Sequence, residues 1–226
     1  IIGISGLVNE VELQKGVSLL SHRGPDDSGI FIDKEFGIGL GHTRLSIQDL
    51  SSAGHQPMTD TTGDIVLIFN GEIYNFNELR VELEGKGYSF SGNSDTEVLM
   101  NLYVDLGKEM FARLNGIFAF ALWDSKRGEM LLARDAFGVK PLYIAESPDY
   151  LAFSSEIKSL TPLIDQPLEL DFVALDRYLT HLWCPGEGTP VRNVRKLGPG
   201  EAFWVRHGKI RNRLRWYQLP AFRRVM

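Results

Sequence analysis

The stretch Ile65-Val66-Leu67-Ile68-Phe69-Asn70-Gly71-Glu72-Ile73-Tyr74-Asn75 joins five consecutive apolar residues to a polar step. An uninterrupted apolar run of this length predicts a strand. Asn-Gly directly after a strand ordinarily signals a turn. The other reading is that the Asn70 amide and the Gly71 backbone N–H point at one spot and stabilise a developing oxyanion, the arrangement that acyl transfer uses. The residues allow both.

Downstream, Asn75 to Leu83 predicts a short helix with Phe76, Leu79 and Leu83 on one face, ended by Gly85 and Gly87. Ser94-Asp95-Thr96-Glu97 fits a capping box ahead of Val98, Leu99, Leu102 and Leu106, which places Asp95 in the first turn of a helix. There its carboxylate either stabilises the helix dipole or receives a ligand ammonium. Ile117–Trp123 with Glu129–Arg134, and Leu142–Ala145 with Tyr150–Phe153, read as hairpins. Between them Arg134 to Pro141 is a charged, Gly/Pro-broken loop without the glycine spacing of a phosphate cradle. Ser155–Leu160 and Asp171–His181 predict helices, and Ala202–Val205 a strand after the turn Leu197-Gly198-Pro199-Gly200.

Upstream, Ile30–Ile32 and Gly37–His42 form a predicted hairpin that runs on into Thr43-Arg44-Leu45-Ser46-Ile47. Arg44 lies between strand-like apolar residues, so its guanidinium fork either meets a carboxylate or reaches water from a sheet edge. His22 to Gly29 is a turn segment, and Glu10 to Leu20 a helix weakened by Gly16. Ile1 to Val8 predicts a strand in which Gly3 and Gly6 allow close approach of another backbone or a ligand. Many short strands in hairpins, few amphipathic helices and no βαβ rhythm are compatible with an α+β fold of mostly antiparallel sheets.

Composition narrows the function classes. With 226 residues and 43% hydrophobic content, the chain can bury one sizeable core, or a core with a smaller unit appended. A net charge of -5 without a long single-sign block gives no nucleic-acid surface, and the basic run from Arg206 to Arg215 reads as a solvated terminal strand. No window approaches the roughly 18 apolar residues of a membrane span, so a cytoplasmic protein is expected. Cys184, the one cysteine, excludes an internal disulfide and a cysteine-based metal cage; beside Trp183 and Pro185 it reads as a packed thiol. The missing initiator Met and the end at Arg224-Val225-Met226 suggest a processed or truncated piece of a longer protein.

Several segments together resemble the N-terminal glutaminase domain of glutamine-dependent asparagine synthetases, a branch of the class II glutamine amidotransferases. They are Gly3-Ile4-Ser5-Gly6, His22-Arg23-Gly24-Pro25-Asp26, Gly41 to Ile47, Gln56-Pro57, Phe69 to Asn75, Ser94 to Glu97, and Arg134 to Tyr143, in the family order. The resemblance implies a four-layer αββα sandwich of the N-terminal-nucleophile hydrolase type. It implies an amidotransferase domain over 1–190, with closing strands and the start of a linker over 191–226. It also implies that Arg44 holds the α-carboxylate of glutamine and Asp95 its α-ammonium, that Asn70 and the Gly71 N–H form the oxyanion hole, and that Glu72 and the backbone of Leu45, Ile47 and Gln48 line the pocket. The partners it implies are glutamine, a synthetase domain in the same polypeptide, and a second copy in a homodimer. No Ser-Gly-Gly-x-Asp-Ser loop occurs in the sequence, so ATP and Mg are expected only in the synthetase domain, and this chain is expected to need no cofactor and no metal.

One position departs from the family. Its members begin Cys-Gly-Ile, where the thiol attacks the amide and the cysteine's own α-amine relays the proton. The aligned residue here is Ile2, preceded by Ile1. A butyl side chain is no nucleophile, and Ser5 carries no α-amine. The expectation is a glutamine pocket around position 2 without its catalyst. It arises either from a glutamine-hydrolysing parent with an altered start, or from a naturally inactive module beside a synthetase that uses ammonia or forms another amide bond.

Overall fold

In the computed structural model, which describes residues 1–46 and 51–219, the run around Ile65 is the long strand β5 (Ile65–Ile73). It pairs with β6 (Gly116–Asp124) from Ile65↔Asp124 to Ile73↔Gly116. Asn70-Gly71 is therefore strand and not turn. Gly71 stands opposite Phe118, and a Cβ there would collide with the Ile117 carbonyl oxygen. Close approach of the neighbouring strand explains this glycine without any reversal of the chain.

β5 and β6 sit in a six-stranded sheet of order β12-β11-β7-β6-β5-β4, completed by β4 (Met58–Thr59), β7 (Glu129–Arg134), β11 (Glu201–Arg206) and β12 (Lys209–Arg215). The facing sheet has the order β10-β8-β9-β1-β3-β2, from β1 (Ile2–Gly6), β2 (Asp27–Asp33), β3 (Ile38–Arg44), β8 (Tyr143–Glu146), β9 (Tyr150–Ser154) and β10 (Val194–Lys196). Neighbouring strands in both sheets are antiparallel. The strands beyond residue 190 complete both sheets, so the sandwich runs on to Arg215.

Three apolar seams separate four layers. On β6, Ala119, Ala121 and Trp123 face the other sheet, while Phe118, Phe120 and Leu122 face α2 (Phe76–Gly85) and α3 (Asp95–Leu106). The third seam joins Ile2, Ile4 and Ala152 of the facing sheet to Leu13 and Val17 of α1 (Glu10–Ser18) and Leu160 of α4 (Ile157–Leu160). A sheet covered on both faces needs apolar residues at every position, which is why β5 and β6 read as continuous runs and not as alternation. This is the αββα sandwich, an α+β fold. A final helix, α5 (Phe172–His181), starts at Asp171, whose side chain accepts the Val173 and Ala174 N–H groups.

Two local contacts fix the ends of β1 and α3. Gly16, the residue that weakens the helix expectation, sits where a Cβ would collide with Ile2 Cδ1; its lack of a side chain lets α1 settle on Ile2. At α3 the Ser94 hydroxyl accepts the Glu97 N–H, but the Glu97 carboxylate accepts from Ser91 and Gly92. Half of the expected capping box thus ties down the preceding loop.

Candidate active site

The backbone of β5 explains how the site is built. Period two sends the N–H and C=O groups of its odd-numbered residues toward the β4 edge. β4 covers that edge only as far as Met58↔Leu67. Beyond it, side chains replace strand partners: Gln56 Oε1 accepts the Phe69 N–H at 2.6 Å, and Asp95 Oδ2 accepts the Ile73 N–H at 2.9 Å. The Gly71 N–H points off the same edge between them. The side chain of Asn70 follows Val66 and Ile68 on the face toward the other sheet, where its Nδ2 lies 3.5 Å from Ser155 Oγ.

These groups surround a cleft of about 290 Å³ whose walls include His42, Thr43 and Arg44 of β3, Asn70, Gly71 and Glu72 of β5, and Asp95 and Thr96 of α3. Leu45, Gln56, Arg23 and Lys140 also line it. A wider groove of about 790 Å³ lies outside α1, along Val11, Gln14, Leu19 and Pro162. Its charged residues Glu10 and Lys15 are exposed; they converge on no buried polar group, so the smaller cleft is the better candidate.

The side chains of the cleft are held in place. Arg44 donates to the Ser51 carbonyl at 3.1 Å, and Gly54 leaves room for the guanidinium, since a Cβ there would collide with its Nη2. Asp26 of the His-Arg-Gly-Pro-Asp segment accepts the Ser46 N–H and fixes the chain just after Arg44. Gln56 also donates to Thr96 Oγ1. Lys140 arrives on the loop expected from Arg134 to Pro141, which is organised by a buried carboxylate: Asp135 accepts the N–H groups of Phe118, Phe137, Val139 and Lys140. Burial pushes the Asp95 carboxyl above its ordinary range, opposed by N–H groups from Ile73 and Thr96 and assisted by the negative Glu72.

At the far wall the amino group of Ile1 donates to Ser155 Oγ at 3.1 Å, the same oxygen that Asn70 reaches. Burial, then the positive charge of Arg23, lowers this amine to about 5 against the opposing pull of Glu156.

The structure brings together Arg44, Leu45, Asn70, Gly71, Glu72 and Asp95. Ile47 and Gln48 lie outside the described residues. Ile2 is placed differently from expectation. Its side chain does not face the cleft but is fully buried under α1 with Leu13 and Val17, because alternation along β1 turns residue 2 outward and residue 1 into the seam between the sheets. Sequence reading assigned no role to His42, Gln56, Thr96 or Ser155. Gln56-Pro57 was a visible motif, but its partners Phe69 and Thr96 are distant in sequence. Among the described residues no group of His, Cys, Asp and Glu is suited to hold a metal ion, and no helix is long and apolar enough to cross a membrane.

Comparison with known proteins gives a consistent picture. The family described as a glutamine amidotransferase domain matches residues 1–217. Asparagine synthetase [glutamine-hydrolyzing] 1 of Bacillus subtilis is 42% identical over 188 residues, 83% of this chain and 29% of that protein. A putative asparagine synthetase [glutamine-hydrolyzing] 2 of Methanocaldococcus jannaschii is 33% identical over 249 residues, 99% of this chain and 48% of that protein. The chain thus spans less than half the length of these relatives. Among solved structures, the glutamine phosphoribosylpyrophosphate amidotransferase of B. subtilis superposes with a TM-score of 0.74 at 22% identity, over 96% of this chain and 49% of that one, which is a likeness of fold.

Proposed function

This chain belongs to the glutamine amidotransferase domain family, and from that premise we propose that its cleft binds free glutamine. In this reading the parent is an asparagine synthetase-like, cytoplasmic enzyme in which the domain supplies ammonia to an ATP- and Mg-using synthetase portion. Arg44 takes the α-carboxylate and Asp95 the α-ammonium, while Glu72 and the Leu45–Gln48 backbone line the pocket. Asn70 Nδ2 and the Gly71 N–H hold the side-chain carbonyl oxygen. The observation that supports this is the convergence of the Arg44 guanidinium, the buried Asp95 carboxylate and two neutral donors on a single cleft. A free amino acid presents the complementary charges at one end and an uncharged amide at the other.

With isoleucine at positions 1 and 2, the start of β1 presents neither thiol nor hydroxyl, and in this reading bound glutamine stays intact. Titration calorimetry with L-glutamine should show saturable binding, weak and near the millimolar range (about 4 kcal/mol), while a coupled assay detects no ammonia. Steady release of ammonia and glutamate above a protein-free control would overturn the inactivity. Absence of binding at tens of millimolar (roughly ten times the expected Kd) would overturn the pocket. One observation favours the second reading, a naturally inactive module beside a synthetase: Gly16 and Gly41 leave room for Ile2, so isoleucine fits its site.

A further inference from the structure

One group in the cleft wall is paired on a single side. His42, only 5% exposed, lies with Nε2 3.0 Å from the Phe69 carbonyl oxygen, and its Nδ1 has no hydrogen-bond partner among the described residues. A carbonyl can only accept, so Nε2 carries the proton and Nδ1 the lone pair. Burial, with the positive charge of Arg44, keeps the ring neutral, with its pKa lowered to about 3 against the opposing effects of the Phe69 carbonyl and Asp27. A buried acceptor left unmet is costly, and because His42 lines the cleft, a ligand that reaches the ring can bring the missing donor.

Its neighbours indicate which part of the ligand this is. The Phe69 backbone is held at both of its polar groups, by Gln56 at its N–H and by His42 at its C=O, and the next two residues are Asn70 and Gly71. The ring is thereby tied to the stretch of β5 that supplies the two neutral donors. We propose that His42 Nδ1 accepts an N–H of the ligand's side-chain carboxamide, so that the cleft distinguishes a primary amide from a carboxylate. Asn70 and Gly71 offer hydrogens to the amide oxygen, and His42 offers a lone pair to the amide nitrogen. An amide matches this polarity. A carboxylate of the same shape sets its second oxygen against the Nδ1 lone pair and has no hydrogen to give.

The inference rests on the glutamine reading of the cleft, and the experiment separates the two. Calorimetry on the unaltered chain at neutral pH compares L-glutamine with L-glutamate, and a preference of at least about tenfold for glutamine is expected. His42→Gln keeps a donor for the Phe69 carbonyl but removes the lone pair at Nδ1, and the preference should fall to within about threefold, mainly through weaker glutamine binding. His42→Asn places a polar group near Nδ1 and should retain more of it. Thermal melts show whether each variant folds. Nitrogen NMR of the His42 ring needs no variant: the Nδ1 resonance should move toward its hydrogen-bonded position with glutamine and stay in place with glutamate. An unchanged preference in folded His42→Gln, equal binding of both amino acids by the unaltered chain, or an Nδ1 resonance indifferent to glutamine would each overturn the inference while leaving the pocket standing. Failure to bind either amino acid would overturn both.

Discussion

The end of β5 and the start of β1 meet at one atom, Ser155 Oγ, yet they differ in every chemical respect. Around Asn70 the chain supplies a donor amide, a backbone N–H off an open edge, and side chains from α3 and the Gln56 segment that hold the strand in place. At β1 two isoleucines fill apolar seams, one between the sheets and one beneath α1. The walls of the site follow from strand period, sheet edge and glycine, which many residues jointly maintain. In the proposed reading the reactive atom would be one side chain at one end of one strand, a place that isoleucine takes here while the walls around it stand.

The strongest way to break this contrast is to supply the catalyst. Removing Ile1 and changing Ile2 to Cys gives a terminal residue with both thiol and amine, free of the contacts that Ile1 makes through its carbonyl to Ser154 and Ser155. Glutaminase activity should rise by about a thousandfold or more over background, read as glutamate formed per enzyme. Ile1→Cys, with its side chain in the seam beside Ile38 and Leu142, should stay near background. A cysteine-terminated variant that folds, binds glutamine and remains inert would show that the new thiol keeps the place of Ile2 beneath α1 and does not serve the cleft.

A smaller effect tests the β1 half of the comparison. Ile2→Ala should cost about 2–4 kcal/mol in urea unfolding through the cavity left under α1, and change glutamine affinity by less than about twofold. A large loss of affinity with unchanged stability would put Ile2 in the cleft after all.

The smallest effect concerns the β5 half. Because Asp95 titrates above the ordinary carboxylate range, acidification protonates it early, and a neutral carboxyl no longer attracts an ammonium. Glutamine affinity should therefore fall as pH drops through that raised pKa, by about tenfold in all, while Asp95→Asn, already weak, should show a flatter profile. Calorimetry across that pH range with unchanged affinity in the unaltered chain would remove Asp95 from the ligand.

Much of this was legible from residues alone. The hairpins, α3 and its Ser94 cap announce themselves through local chemistry, as do Arg44, Asn70, Gly71 and Asp95, while Leu45 and Glu72 were added by the family resemblance. Asn70-Gly71 misleads as a turn because turn statistics know nothing of a strand that continues for two further residues against β6. The facing of Ile2 was missed for a related reason: alternation fixes only relative sides, and one residue of offset exchanges inside for outside. β4 and β10, of two and three residues, are too short to show a period. His42 and Gln56 act on Phe69 from 27 and 13 residues away, which no local pattern reports.

The uncovered rim of β5 carries a consequence beyond ligand binding. A strand edge with its N–H and C=O groups unanswered is a template on which another chain can add itself, and proteins that leave one open risk association edge to edge. Here Gln56, His42 and Asp95 occupy those groups one at a time, with side chains too short and too varied to continue the sheet. The cleft is thus also the place where a further strand is refused, and the residues that shape the pocket protect the molecule from its own neighbours.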